Sequence, residues 1–201
     1  MKIVVIGATG TIGKAIVQAF SQGHDVIQAS RSSSQYPVDI TSKDSIQRLF
    51  EAIAPLDAVV SATGQARFNS LEALTDEDFQ FSLANKLMGQ VNLVRAGIPY
   101  MSDNGSFTLT SGVLSTEPMP GSAAISLVNA GLEGFARAAA LELPRGIRIN
   151  VVSPPWVTET LEARGMDLAG GLPAESVAKA YAQSVAGQAT GTVIDARSVG
   201  A

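Results

Sequence analysis

The sequence predicts an α/β fold: one doubly wound parallel sheet of about seven strands between two layers of helices, a three-layer α/β/α arrangement. Two observations predict it. Short apolar, β-branched runs alternate with segments of helical periodicity along the whole chain. The first such pair is also joined by a glycine turn. Ile3 to Ile6 is an unbroken run of the kind buried on both faces of a parallel sheet, and Gly7, Gly10 and Gly13 follow at intervals of three. Ile12, Ala15, Ile16, Ala19 and Phe20 repeat at helical spacing, so a helix begins inside the glycines. Such a helix turns its free N–H groups and positive dipole end toward an approaching anion. Gly7, Thr9, Gly10, Thr11, Ile12 and Gly13 are therefore the candidate phosphate cradle; the competing account is a tight turn that binds nothing.

The remaining elements follow in order. Asp25 to Ser30 is a second strand, ending at Arg31-Ser32-Ser33-Ser34, and Tyr36 to Asp39 is a short extended third. Thr41-Ser42 starts a helix whose apolar stripe is Ile46, Leu49, Phe50 and Ile53. Asp57 to Ser61 is the fourth strand and runs into Ala62-Thr63-Gly64. Thr75 caps a helix with an acidic first turn, Asp76-Glu77-Asp78, and the spacing of Phe79, Leu83 and Leu87 carries that helix toward Tyr100. Asp103-Asn104-Gly105 is a turn before a fifth strand, Ser106 to Ser111. A long small-residue helix from about Ser122 to Leu143 is closed by Pro144 and Gly146. Ile147 to Val152 is the sixth strand, broken by Ser153-Pro154-Pro155. Residues 156–172 read as irregular or partly helical, Pro173 opens a last helix, and Thr192 to Asp195 is a final short strand. No linker, repeat or low-complexity tract interrupts the chain, so residues 1–201 are expected to form one domain.

Composition narrows the chemistry. Of 201 residues, 46% are hydrophobic and 16% charged, as in a well-buried globular protein. A formal net charge of -4 without a Lys/Arg cluster argues against nucleic acid or an anionic membrane as partner. No apolar run reaches the length of a membrane span, and the first one is too short for a signal sequence. The default expectation is a cytoplasmic protein. Zero cysteines exclude disulfides, thiol catalysis and thiolate metal sites. The single histidine, His24, follows Gly23 in a helix-to-strand turn and reads as a surface residue, so no metal site is expected.

The order of elements, with Gly7-Ala-Thr-Gly-Thr-Ile-Gly13 at the start, resembles the short-chain dehydrogenase/reductase family over essentially the whole chain. The resemblance implies a Rossmann domain that binds a nicotinamide dinucleotide. Ser61-Ala62-Thr63-Gly64 stands where the family has Asn-Asn-Ala-Gly beside the adenine end of the cofactor. Leu83 to Val94 looks like the family's central helix, which puts Asn85 at the active-site asparagine; Lys86 beside it is expected to be solvated. Gly105 to Gly112 resembles the strand that ends in the catalytic serine, here Ser111, although a serine there is also common as a turn residue. Asn129 to Pro155 is closest to the family consensus and fixes the register.

That register exposes a departure. The family's Tyr-x-x-x-Lys pair falls on Ile125 and Asn129. In the family the phenol protonates a substrate carbonyl while the lysine lowers its pKa and holds the ribose hydroxyls. Ile125 has no proton to give, and Asn129 offers hydrogen bonds without charge. Tyr36, Tyr100 and Tyr181 lie in other elements. Loss of a general acid costs about 100- to 10,000-fold in rate, so hydride transfer would be slowed rather than forbidden. Thr11 replaces the middle glycine of the usual first motif. After the sixth strand, Pro154-Pro155-Trp156-Val157-Thr158-Glu159 stands for Pro-Gly-x-(Val/Ile)-x-Thr, with Glu159 in the threonine slot between Thr158 and Thr160. Pro154 and Val157 match, whereas Pro155 removes a donor. Trp156 suits either stacking on a ligand or packing in a lid, and the segment from 160 to 175 is short for a substrate lid.

The end of the second strand bears on the cofactor. An NAD site needs an acidic side chain there for the ribose 2′-hydroxyl, but this chain has Ser30 followed by Arg31 and Ser32. A guanidinium among serines suits a 2′-phosphate, so NADP(H) is favoured over NAD(H); the competing account is that Arg31 is a solvated loop residue. Asp39 resembles the family's adenine-contacting aspartate, or is simply a turn residue before a helix. The leading expectation is an oxidoreductase acting on a small carbonyl or alcohol, with Ser111 and Asn85 as its surviving polar groups. The competing class is an NADP(H)-binding pseudoenzyme that acts as sensor or scaffold. By the same resemblance a homodimer or homotetramer is expected, assembled through the helices around 76–100 and 122–142.

Overall fold

The computed structural model describes residues 1–32 and 35–199, so Ser33 and Ser34 of the serine run lie outside the described residues. The apolar opening forms strand β1 (Lys2–Ile6), and the glycine turn feeds helix α1 (Thr11–Phe20). Strand β2 (Asp25–Ala29) follows, then α2 (Lys43–Ile53), capped by the Ser42 hydroxyl, which accepts from the Ser45 N–H. All four residues of the predicted α2 stripe are buried. Strand β3 (Leu56–Ser61) leads through a loop to α3 (Asp76–Ser82), whose start is a reciprocal Thr75/Asp78 capping box. A π turn (Leu83–Leu87) joins α3 to α4 (Met88–Gly97). Strand β4 (Met101–Thr110), α5 (Ala123–Ala139), β5 (Arg148–Ser153), α6 (Thr158–Ala163), α7 (Ala174–Ala186) and β6 (Val193–Asp195) complete the order.

Every strand pairing is parallel, and the order across the sheet is β2-β1-β3-β4-β5-β6. Among the described residues the sheet has six strands rather than about seven. Tyr36 to Asp39 makes one bridge among those residues, Ser30 to Pro37, in which the Ser30 N–H donates to the Tyr36 carbonyl and the Val38 N–H to the Ser30 carbonyl. The predicted turn at Asp103 to Gly105 is a bulge inside β4: its partner on β3 moves from Leu56 opposite Met101 to Ala58 opposite Ser106. Asn104 takes φ +60° there, a conformation asparagine tolerates better than most residues.

Alternation along β1 divides the core. Val4 and Ile6 pack with Ile46, Phe50, Leu93 and Leu132 from α2, α4 and α5. Ile3 and Val5 pack on the opposite face with Ile16, Phe20, Val177 and Tyr181 from α1 and α7. The winding reverses between β1 and β3. In an open parallel sheet that switch opens a crevice at the carboxyl ends of the strands, and both loops leaving these strands end there.

Candidate active site

Two adjoining cavities, of about 230 and about 290 Å³, lie over the carboxyl ends of the strands and share Ala62, Thr63 and Gly64 as their common wall. They form one groove. The larger is lined by Gly7, Thr9 and Gly10 from the glycine turn, Ser30, Arg31 and Ser32 after β2, Asp39, and Asn85. The smaller is lined by Ile12, Lys86, Thr110, Ser111, Ile125, Asn129 and the segment Pro154 to Val157 with Thr160.

The glycine turn is shaped by close approaches. A Cβ on Gly13 would lie 2.0 Å from the Gly7 carbonyl oxygen, so α1 can start where it does only with glycine at that point. Gly10 is the N-cap and supplies no side-chain cap, which leaves the first-turn N–H groups of α1 for a ligand. Gly13 is buried, and Thr11 is exposed as the first residue of α1. Ser61 is buried at the end of β3 with its hydroxyl unpartnered, while its carbonyl accepts from Thr110. These three predicted residues do not line the groove; the other predicted cofactor residues do.

Arg31 is exposed at the rim. Beside it the hydroxyls of Thr9 and Ser32 lie 3.3 Å apart, and those of Ser30 and Ser32 3.4 Å apart. Asp39 serves the local turn as well as the groove: its Oδ1 accepts from the Thr41 hydroxyl (2.7 Å) and N–H (2.9 Å). Those bonds, with a smaller contribution from the Arg31 charge, hold its carboxyl below the usual range.

At the other end, β4 and β5 set the floor. The Ser111 N–H continues the sheet by donating to Val152, and the Val113 N–H donates to the Pro154 carbonyl. On α5, Ile125, Asn129 and Glu133 recur every four residues and so share one face. Ile125 and Asn129 line the cavity, and Glu133 reaches behind Ser111. The Glu133 carboxylate accepts from the hydroxyls of Ser111 (3.0 Å) and Ser115 (2.6 Å). Asn129, 1% exposed, donates from Nδ2 to the Gly112 carbonyl, and its Oδ1 is buried without a partner. A buried acceptor left without a partner is uncommon and calls for a donor.

Sequence reasoning missed Lys86. It is 9% exposed rather than solvated, and its Nζ donates to the Ser111 carbonyl at 2.9 Å. Burial brings its ammonium down from 10.5 to about 8. Asn85, by contrast, lines the other cavity and accepts from the Gln65 N–H at 2.7 Å; the structure brings Lys86, not Asn85, to Ser111. The signal was a second stripe: Ser82, Lys86, Gln90 and Val94 recur every four residues and all are buried, whereas Phe79, Leu83 and Leu87 are only half-buried. The π turn carries this lysine inward. Gly64 makes room, since a Cβ there would stand 3.0 Å from the Lys86 Cα and Cγ.

Other predicted residues are placed outside the chemistry. Tyr181 is wholly buried, its hydroxyl 2.6 Å from that of Thr110, and burial pushes its phenol well above the usual value. Glu159, in the threonine slot, accepts from the Ala174 N–H at the start of α7. Trp156 packs edge-on against Phe68 while lining the cavity. His24 is half-buried and packs edge-on against Phe20. Among the described residues no group of three His, Cys, Asp or Glu could hold a metal, and no helix is long and apolar enough to cross a membrane.

Known proteins share this arrangement. Residues 7–192 match the family described as Enoyl-(Acyl carrier protein) reductase. The chain is similar to the protein lin1944 of Listeria innocua, with a TM-score of 0.93 and 42% identity covering 97% of this chain and 98% of that one. It is similar to a small-chain dehydrogenase crystallised in complex with NADPH, with a TM-score of 0.85 and 28% identity over 96% of this chain and 94% of that one. The 3-oxoacyl-[acyl-carrier-protein] reductase FabG of Thermotoga maritima is 27% identical over 194 residues, covering 82% of this chain and 79% of that protein. A doubly wound sheet, a glycine turn at its switch point, a serine directly after β4 and these likenesses agree: the chain belongs to the short-chain dehydrogenase/reductase family of NAD(P)-binding oxidoreductases.

Proposed function

We propose that the groove binds NADP(H) and that the chain reduces a small carbonyl compound, or oxidises the matching alcohol, in a site without the family's Tyr–Lys pair. The observation that carries this is the continuity of the groove. It runs from Arg31 and the hydroxyls of Thr9 and Ser32, past the uncapped start of α1, to Ser111 and Asn129. In this proposal Arg31 and Ser32 hold the 2′-phosphate, Asp39 the adenine, and Gly10 with the α1 N–H groups the diphosphate. The orphaned Asn129 Oδ1 accepts from a ribose hydroxyl, and Pro154 and Val157 flank the nicotinamide end. Bound NADPH would supply the hydride. The likeness to a dehydrogenase solved with NADPH supports the cofactor. The exposed Met88 and Leu127 support assembly through α4 and α5.

A second reading, a cofactor-loaded sensor, is favoured by one observation: Ile125 offers no proton, and the Ser111 hydroxyl is engaged with Glu133. One experiment separates the two. NADPH and NADH are titrated by fluorescence, and NADPH oxidation is followed with a panel of aldehydes, ketones and quinones. Turnover with any of them supports the oxidoreductase, and binding without turnover supports the sensor. In the same titration Arg31→Ala is expected to weaken NADPH about tenfold, the low end for a charge-assisted contact at an exposed site, and to leave NADH nearly unchanged. Equal losses for both would remove Arg31 from the 2′-phosphate.

A further inference from the structure

We propose that Lys86 is the general acid of this site, delivering the proton that a carbonyl oxygen takes up as it is reduced beside Ser111. The proposal rests on the oxidoreductase function proposed above. A general acid must line the cavity, carry a transferable proton and be held in place. The side chains with polar atoms that line the cavity are Thr63, Lys86, Thr110, Ser111, Asn129, Trp156 and Thr160, and the indole N–H of Trp156 does not ionise. Ser111 donates to Glu133, Thr110 donates to the Ser61 carbonyl, and the Asn129 amide does not ionise. Lys86 is the cation among the lining residues. One of its three donors is given to the Ser111 carbonyl, which leaves two for a substrate.

The lysine is also positioned. Its stem fits against Gly64, and the π turn carries its backbone toward the end of β4. Gln90, fully buried, clamps that end: its Nε2 donates to the Thr110 carbonyl (2.9 Å) and the Lys86 carbonyl (3.3 Å), and its Oε1 accepts from the Thr110 N–H (2.9 Å). Helix and strand are thereby tied on both sides of the Lys86–Ser111 contact. Burial favours the neutral amine, and a value of about 8 makes the proton transferable near neutral pH. The step balances. The carbonyl carbon gains a hydride, two electrons and a hydrogen, from the reduced nicotinamide dinucleotide, which becomes the oxidised form. The carbonyl π pair takes the Nζ proton to give the alcohol, and the neutral amine is reprotonated from water.

The test uses the full chain, NADPH, and 9,10-phenanthrenequinone and 4-nitrobenzaldehyde as carbonyl probes. Lys86→Met, with Lys86→Gln as a second variant should the first not fold, is expected to keep NADPH affinity within about threefold. Its turnover should fall by about 100- to 10,000-fold. Lys86→Arg should not restore it, because a guanidinium holds its proton. Isotope-labelled lysine NMR should show a resonance, absent from the Met variant, that titrates near the depressed value of about 8. Wild-type turnover should fall above the same pH. Turnover preserved in Lys86→Met would overturn the proposal and leave the oxidoreductase function standing. Rescue by Arg would overturn proton transfer in favour of charge stabilisation alone, and titration near the ordinary lysine value would overturn it as well. Failure of the wild type to oxidise NADPH with either probe, while binding it, would remove the reductase function and this proposal together.

Discussion

Lys86 is an ammonium packed against Gly64 and Ser111, with no carboxylate in ion-pair range among the described residues, and that arrangement has a thermodynamic signature. Its folded value of about 8 lies below the ordinary 10.5. Between those two values the unfolded chain binds more protons than the folded one, so the lysine's contribution to stability rises with pH through that window. Below pH 8 both states hold the proton and the full burial penalty, on the order of 3 kcal/mol, weighs on the folded protein. Lys86→Met should therefore be more stable than wild type by roughly that amount at neutral pH, in urea unfolding. The gap should narrow above pH 8 and close toward 10.5. An equal midpoint for the two proteins at neutral pH would mean that the ammonium is hydrated. Stability given up at one residue is what a functional site tends to show.

At the scale of elements, α1 is the most constrained. Its first turn crosses the Gly7 carbonyl so closely that Gly13→Ala must push the helix away from β1. Overpacking of this kind costs about 1–3 kcal/mol, and the displaced N–H groups should also weaken NADPH binding, both readable from a melting curve with and without NADPH. Unchanged melting in the two conditions would place the diphosphate elsewhere. Elements built on a local period were legible in the sequence: the apolar opening of β1, the α2 stripe and the Thr75 cap all appear where residue spacing puts them. Elements set by tertiary pairing were not. Tyr36 to Asp39 has the composition of a strand but pairs through a single bridge to Ser30, and the bulge in β4 depends on how β3 lies beside it. The π turn misled most. Across it the stripe counted from Phe79 is half-buried, with Leu87 against the core, while the one from Ser82 through Lys86 is buried. The likeness of Leu83 to Val94 to the family's central helix puts Asn85 at the active site; Lys86, one residue on, reaches Ser111, and Asn85 lines the other cavity.

For the molecule as a whole, the two sides of the sheet do different work. The layer of α2, α4 and α5 positions Lys86, Ile125, Asn129 and Glu133, while α1 and α7 close the opposite face and present the glycine turn. The groove follows from the topology, because the winding reverses between β1 and β3 and the loops after those strands supply Gly10 and Thr63. That level was readable from the alternation of strands and helices; which polar groups meet at Ser111 was not, since they come from three elements distant in sequence. A ligand filling such a groove stabilises the folded chain by about 2.7 kcal/mol at a hundredfold excess over its dissociation constant. The melting temperature should then rise by about 5–10 °C for a chain of this size. The most direct test is isothermal titration calorimetry of the intact protein with NADPH and, separately, NADH at neutral pH and low salt. One binding event per chain, tighter for NADPH, is the predicted result; no heat at millimolar concentrations of either dinucleotide would contradict it.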